Sequence, residues 1–333
     1  MNPPAFLDWS RLRNPVLSDP DWSLKDACVH YHAGLFHLFT SAFNEERSTV
    51  IGITTPDFQT YTKTGLCLTG PELEAVGICS PNITVAGDRF LLTLNTWGQR
   101  PPRLNQLYYL ESPDLRHWSA PRPLAGNLTA GHRCIDLALA GAPGQWIGIW
   151  KEGSRTRIAT AAQLDGDWQF LGTGDLLFER AMPSRDPKII HENFQFLMLD
   201  GVWHLLSTDY PPHHPWLYRR AGDDWTHWVD GRRLLIPSER FNSIPAALAA
   251  PKLTPCWDNP AAGHIVDGLD NAAFLCDWRD SDGHFYLLYA GKNEDGRDRF
   301  NGTASDGPWP RGWNKLALAR SRDLQTWTVA GLA

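Results

Sequence analysis

No apolar run in this 333-residue chain approaches the roughly 20 residues that span a bilayer. Lysine and arginine are scattered against a net charge of −6. That suits neither a nucleic-acid surface, which needs clustered cations, nor a polybasic membrane patch. The opening residues, MNPPAFLDWSRLRNP, lack a charged segment followed by an apolar stretch, so no secretory signal is expected within this sequence. Cytosolic and secreted locations both stay open. None of the six cysteines (Cys28, Cys67, Cys79, Cys134, Cys256 and Cys276) forms a CxxC pair, which removes zinc knuckles and thioredoxin-type sites. Cys28, Cys79 and Cys134 lie in apolar strand-like runs, where buried thiols are expected. Helical periodicity is nearly missing as well: no long stretch repeats apolar residues at i, i+3, i+4 and i+7.

What is present is a repeat. A turn glycine followed by an alternating aromatic and aliphatic strand occurs five times: AGLFHLFTS at Gly34, AGDRFLLTL at Gly87, PGQWIGIW at Gly144, DGVWHLLST at Gly201 and DGHFYLLYA at Gly283. Each is preceded by a short apolar strand, which makes a β-hairpin signal. Each is followed by an outer motif ending in an aromatic residue: TPDFQTY, SPDLRHW, LDGDWQF, GDDWTHW and SRDLQTW. That makes about four strands per unit, and five units predict an all-β, single-domain five-bladed β-propeller. The blades are expected at about 22–70, 71–125, 126–175, 176–235 and 262–333. The segment Leu7 to Trp22 is expected to pair with the last blade and close the ring. Asp280 in DSDG is expected in a hairpin turn, since Trp278 occupies the first position a calcium loop would need.

In a propeller the first strand of each blade lines the channel, so the heads of those strands converge on one mouth. Counting back eight or nine residues from the turn glycine gives Asp26, Asp136 and Glu192 in blades one, three and four, and Cys79-Ser80-Pro81 in blade two. An acid at a strand start also caps turns, but three at matched positions point to shared chemistry. Glycoside hydrolysis with inversion needs one carboxylate as base for water and one carboxylic acid for the leaving oxygen. A third carboxylate raises the acid's pKa by like-charge repulsion.

These residues, in LKDACVHYHAGLFHLF, CIDLALA and HENFQFLMLDGVWHLLSTD, resemble the first-, third- and fourth-blade segments of glycoside hydrolase families 43 and 62, the arabinofuranosidases and xylosidases. The resemblance covers roughly residues 20 to 330 and implies Asp26 as base, Asp136 as modulator and Glu192 as general acid. The family commonly has Pro after the base and Gly-Pro after the acid; this chain has Ala27 and Asn193-Phe194. His264 is the nearest counterpart of the family's central histidine. The resemblance implies an inverting glycosidase, first an α-L-arabinofuranosidase, with galactofuranosidase, β-xylosidase, anhydrogalactosidase or a non-catalytic carbohydrate-binding propeller as alternatives. The expected partner is an oligosaccharide or polysaccharide. No cofactor is expected, and a structural calcium is the one ion left open.

Sugar rings present apolar faces that stack on aromatics, so Trp97, Trp150 and Trp216 are candidate platforms. Trp118, Trp228 and Trp327 are expected to pack the blades. Arg133 and Arg185 stand near the acids as candidates for binding sugar hydroxyls, and Asp186 is the second choice for general acid. His30, His32 and His37 are expected in packing or polar contacts rather than on a metal.

Overall fold

The computed structural model describes residues 6–17, 19, 22–44, 47–98, 104–180, 190–210, 214–234, 272–292 and 314–331. Five sheets account for the five repeats. Blade one is β1 (Ser23–His32), β2 (Leu35–Phe43), β3 (Ser48–Thr55) and β4 (Thr62–Thr69). Blade two is β5 (Gly77–Ala86), β6 (Arg89–Trp97), β7 (Leu107–Ser112) and β8 (Arg122–Pro123). Blade three is β9 (Cys134–Ala142), β10 (Gln145–Glu152), β11 (Arg155–Ala161) and β12 (Gln169–Asp175). Blade four has five strands: β13 (Leu177–Arg180) lies parallel to β17 (Asp224–Arg233), outside β14 (Ile190–Leu199), β15 (Val202–Tyr210) and β16 (Pro215–Ala221). Blade five is β18 (Phe274–Trp278), β19 (His284–Lys292), β20 (Asn314–Ser321) and β21 (Trp327–Val329). The inner strands β1, β5, β9, β14 and β18 touch in circular order, with β18 back against β1.

The recurrent outer motif works through its aspartate. Asp57, Asp114 and Asp323 each accept two backbone N–H groups from the residues two and three further on. This side-chain turn places Phe58, Leu115 and Leu324 at positive φ and buries them. Trp168, Trp228 and Trp327 are buried between blades, and Trp118 packs edge-on against Phe39. The DSDG segment is a short helical turn, Arg279–Asp282, between β18 and β19.

The N-terminal segment completes blade five. Outer strand β21 covers only the Ala319–Ser321 half of β20. Leu17 pairs with Leu316 on the other half, Val16 N–H donates to Leu316 O at 2.9 Å, and Leu316 N–H donates to Leu17 O at 2.9 Å. Asn14 bridges the two pieces. Its Nδ2 donates to Leu318 O at 3.0 Å and its Oδ1 accepts Leu318 N–H at 2.9 Å. Asn14→Ala strips Leu318 N–H of this acceptor, so stability in urea should fall by about 1–3 kcal/mol. An unchanged midpoint would show that this clasp does not hold the ring.

Candidate active site

Each of the first four inner strands carries a bulge at the same level. Lys25 pairs with Ser41 and Cys28 with Phe39, so Asp26 and Ala27 face Thr40 alone. The same two-against-one step places Ser80-Pro81, Asp136-Leu137 and Asn193-Phe194 in blades two to four. The first residue of each pair is left-handed: Asp26 φ 51°, Ser80 φ 55°, Asp136 φ 60° and Asn193 φ 51°, with Ala272 of blade five at φ 55°. A bulge re-aims its side chain. Pro81 is tolerated inside β5 because the bulge leaves its nitrogen without a ladder partner. The four bulge residues and Ala272 together line a small axial cavity of about 30 Å³, room for one water. Its floor is tied across the axis by Asn82, whose Nδ2 donates to Phe194 O.

The register corrects the matched-position count. The bulge residue of blade four is Asn193, and Glu192 stands one residue before it, level with Lys25, Cys79 and Ile135. Glu192 nevertheless belongs to the same cluster. After burial, its charge is the largest influence on Asp136, holding that carboxyl above its ordinary range, while Lys151 and Lys25 pull it down and Ser80 hydrogen-bonds it. Asp26 is pushed up to about 6 by burial, with Lys25 opposing and the Asp136 and Glu192 charges adding. Asp26, Asp136 and Glu192 are 6%, 6% and 7% exposed, so their repulsion is weakly screened.

Two lysines balance the three acids. Lys25 Nζ lies 3.5 Å from Asp26 Oδ1, and Lys151 Nζ contacts Glu192 Oε2. Asn193 Nδ2 reaches Asp26 Oδ1 at 3.4 Å. Sequence reasoning missed Lys25, Lys151, Ser41, Asn95 and Asn193. A signal existed: Ser41, Asn95, Lys151 and Thr208 stand opposite the residue before each bulge. From there the first three reach the next blade. Ser41 Oγ accepts Ser80 N–H at 2.8 Å, Asn95 Oδ1 accepts Asp136 N–H at 3.0 Å, and Lys151 holds Glu192.

Of the aromatic candidates, Trp150 is no platform. It faces away from Lys151 on β10, is fully buried, and packs in the core with Leu107, Leu124 and Ala159. Trp97 is half-buried at the end of β6, edge-on to Phe43, with the Arg133 guanidinium 5.6 Å from its ring centre. Trp216 belongs to a chain of contacts that ends at His191: its Nε1 donates to Asp209 at 2.8 Å, and Arg180 lies over its ring at 4.0 Å and within 3.3 Å of His191. Arg185, Asp186 and His264 lie outside the described residues. Among the described residues no three His, Cys, Asp or Glu side chains converge to hold a metal ion, so no step is assigned to calcium. His30 and His32 pack on Phe90; burial and the neighbouring histidines push His30 down to about 4.

A scan against protein-family models finds no match, and a search of curated proteins finds none either. Solved structures do match. A thermostable family-43 glycoside hydrolase is 13% identical with a TM-score of 0.60, covering 97% of this chain and 96% of its own. A xylan β-1,4-xylosidase from Bacillus halodurans C-125 is 14% identical with a TM-score of 0.56, covering 93% of this chain and 54% of its own. A structure described under the GH130 mannoside phosphorylases, with hydrolases of β-1,2 mannosidic linkages in Candida mannan, is 13% identical with a TM-score of 0.60, covering 96% and 94%. At this identity the likeness establishes the fold, a five-bladed β-propeller.

Asn95 tests how the site is held. Asn95→Ala leaves the buried Asp136 N–H without its acceptor and should cost about 1–3 kcal/mol in urea denaturation. A neutral result would show that the Asp136 bulge is fixed by other contacts.

Proposed function

We propose that this protein is an inverting glycosidase that removes terminal pentofuranose residues, with α-L-arabinofuranosides first among its substrates. The observation that carries the reading is the buried cluster of Asp26, Asp136 and Glu192 at one mouth of the propeller channel. Glycosidase structures of the same fold support it. Asp26 takes the proton of the attacking water, Glu192 protonates the leaving oxygen, and Asp136 favours a retained proton on the Asp136–Glu192 pair by repulsion. Among the described residues, three carboxylates against two ammonium groups leave excess negative charge, which suits water rather than phosphate as nucleophile.

Lys151 works against the acid role. Its ammonium favours charged Glu192, so the cycle requires that contact to loosen when the substrate's leaving oxygen arrives. Trp97, Arg133 and Trp216 stay sugar-contacting candidates.

The test is a panel of aryl glycosides. Asp26→Asn and Glu192→Gln should each lose several orders of magnitude in turnover while folding normally; wild-type-like rates in either would refute the assignment. The pH profile gives a second reading. Because Asp26 serves as base only when ionised and is pushed up to about 6, kcat/KM should fall as pH drops through that value. Lys25→Met removes the charge that favours ionised Asp26, so this limb should move to higher pH; a limb that stays in place would separate Asp26 from the base role.

A further inference from the structure

A second hollow, of about 820 Å³, opens over blade two. Its volume is that of a ligand pocket. The lining includes Glu74, Trp97, Gly98, Asn105, Gln106 and Tyr108. It lies at the catalytic end of the propeller. Trp97 pairs with Gly77 at the head of β5. Asn95, which holds the Asp136 N–H, precedes Trp97 by two residues. Side chains so spaced point to the same face of a strand, roughly 7 Å apart. Gly131, in the turn that leads into the Asp136 strand, closes the other side.

One donor in this hollow has no use within the protein. Asn105 is 2% exposed, yet its Nδ2 has no hydrogen-bond partner. Its neighbour Gln106 is fully engaged: the amide donates to Asn105 O, Thr129 O and His132 O and accepts from the Thr129 hydroxyl. Gln106 is therefore fixed wall, while Asn105 keeps a free, desolvated donor. Leaving such a donor unserved is costly, and a ligand hydroxyl would serve it. Among the described lining residues Glu74 is the charged one, and its negative charge disfavours a uronic acid or sulfated sugar. An aromatic ring, a free amide donor and a carboxylate suit a neutral sugar.

We infer that this hollow is a subsite for the leaving-group part of a neutral oligosaccharide whose terminal sugar enters the acid cluster. The inference rests on the glycosidase reading above. The axial cavity is small and floored by the Asn82 bond to Phe194, so a longer substrate extends outward over the rim, and blade two offers the place for it. The consequence is a preference for substrates longer than an aryl glycoside.

The experiment compares kcat/KM for a trisaccharide with that for the aryl glycoside of the same terminal sugar, in wild type, Trp97→Ala and Asn105→Asp, each checked for folding by thermal melting. The wild-type ratio should favour the trisaccharide by roughly ten-fold or more. Trp97→Ala should collapse that preference, and Asn105→Asp, nearly isosteric but without the donor, should cut it several-fold. No length preference in wild type, or a ratio unmoved in the folded variants as expected if only water meets Asn105, overturns the subsite. If wild type hydrolyses no glycoside, the glycosidase reading fails first, and calorimetric titration with neutral arabino- and xylo-oligosaccharides then decides the hollow alone: heat lost in both variants supports it, and no heat in wild type overturns it.

Discussion

The site depends on one backbone constraint, a left-handed residue at the cavity in every blade, set in a bulge of the inner strand in the first four and just before β18 in the fifth. Asp26, Ser80, Asp136, Asn193 and Ala272 all hold positive φ without being glycine. Each such residue costs of order 1–3 kcal/mol and persists only where its surroundings over-determine it. Here the surroundings are the neighbouring blade: Ser41 fastens Ser80, Asn95 fastens Asp136, and Lys151 fastens Glu192. The strain and its restraint therefore alternate around the ring. A blade is positioned by its own ladder and also by the side chain the previous blade extends to it.

That geometry gathers charge where charge is expensive. Three carboxylates more than nine-tenths buried would repel strongly, and two lysines answer them, Lys25 from the Asp26 strand and Lys151 from β10. Such a buried network gives little net stability, because desolvation offsets the attraction. Its consequence is a shift in titration: Asp26 is pushed up to about 6, where a proton can be exchanged near neutral pH, and Asp136 is shifted upward by burial and the Glu192 charge.

Much of this was legible in the sequence. The hairpin glycines and the Ser-x-Asp-Leu motif gave five blades because both are local: a turn, and an aspartate accepting nearby N–H groups. The exact level of the acids was less legible. Gly34 and Gly201 both close their two-residue turns, and Asp26 and Asn193 stand at equal distance before them, so a count that admitted one residue more reached Glu192 instead; Gly87 opens its turn, which shifts the blade-two count from Ser80 to Cys79. Lys151 escaped notice because its role lies between blades, set by pairing across strands rather than by spacing along one. Trp150 misled for the opposite reason: it neighbours Lys151, but strand alternation sends it into the core. The fifth strand of blade four, β13, pairs parallel with the distant β17 and carries no hairpin signal.

The central claim is that a water activated on one side of the sugar displaces a leaving group protonated from the other. The measurement that tests it most directly is proton NMR of the first-formed sugar during hydrolysis of a matched glycoside. The account predicts that the anomer opposite to the substrate's appears first and then mutarotates. Initial release of the same anomer would require a covalent intermediate and would contradict the roles given to Asp26 and Glu192.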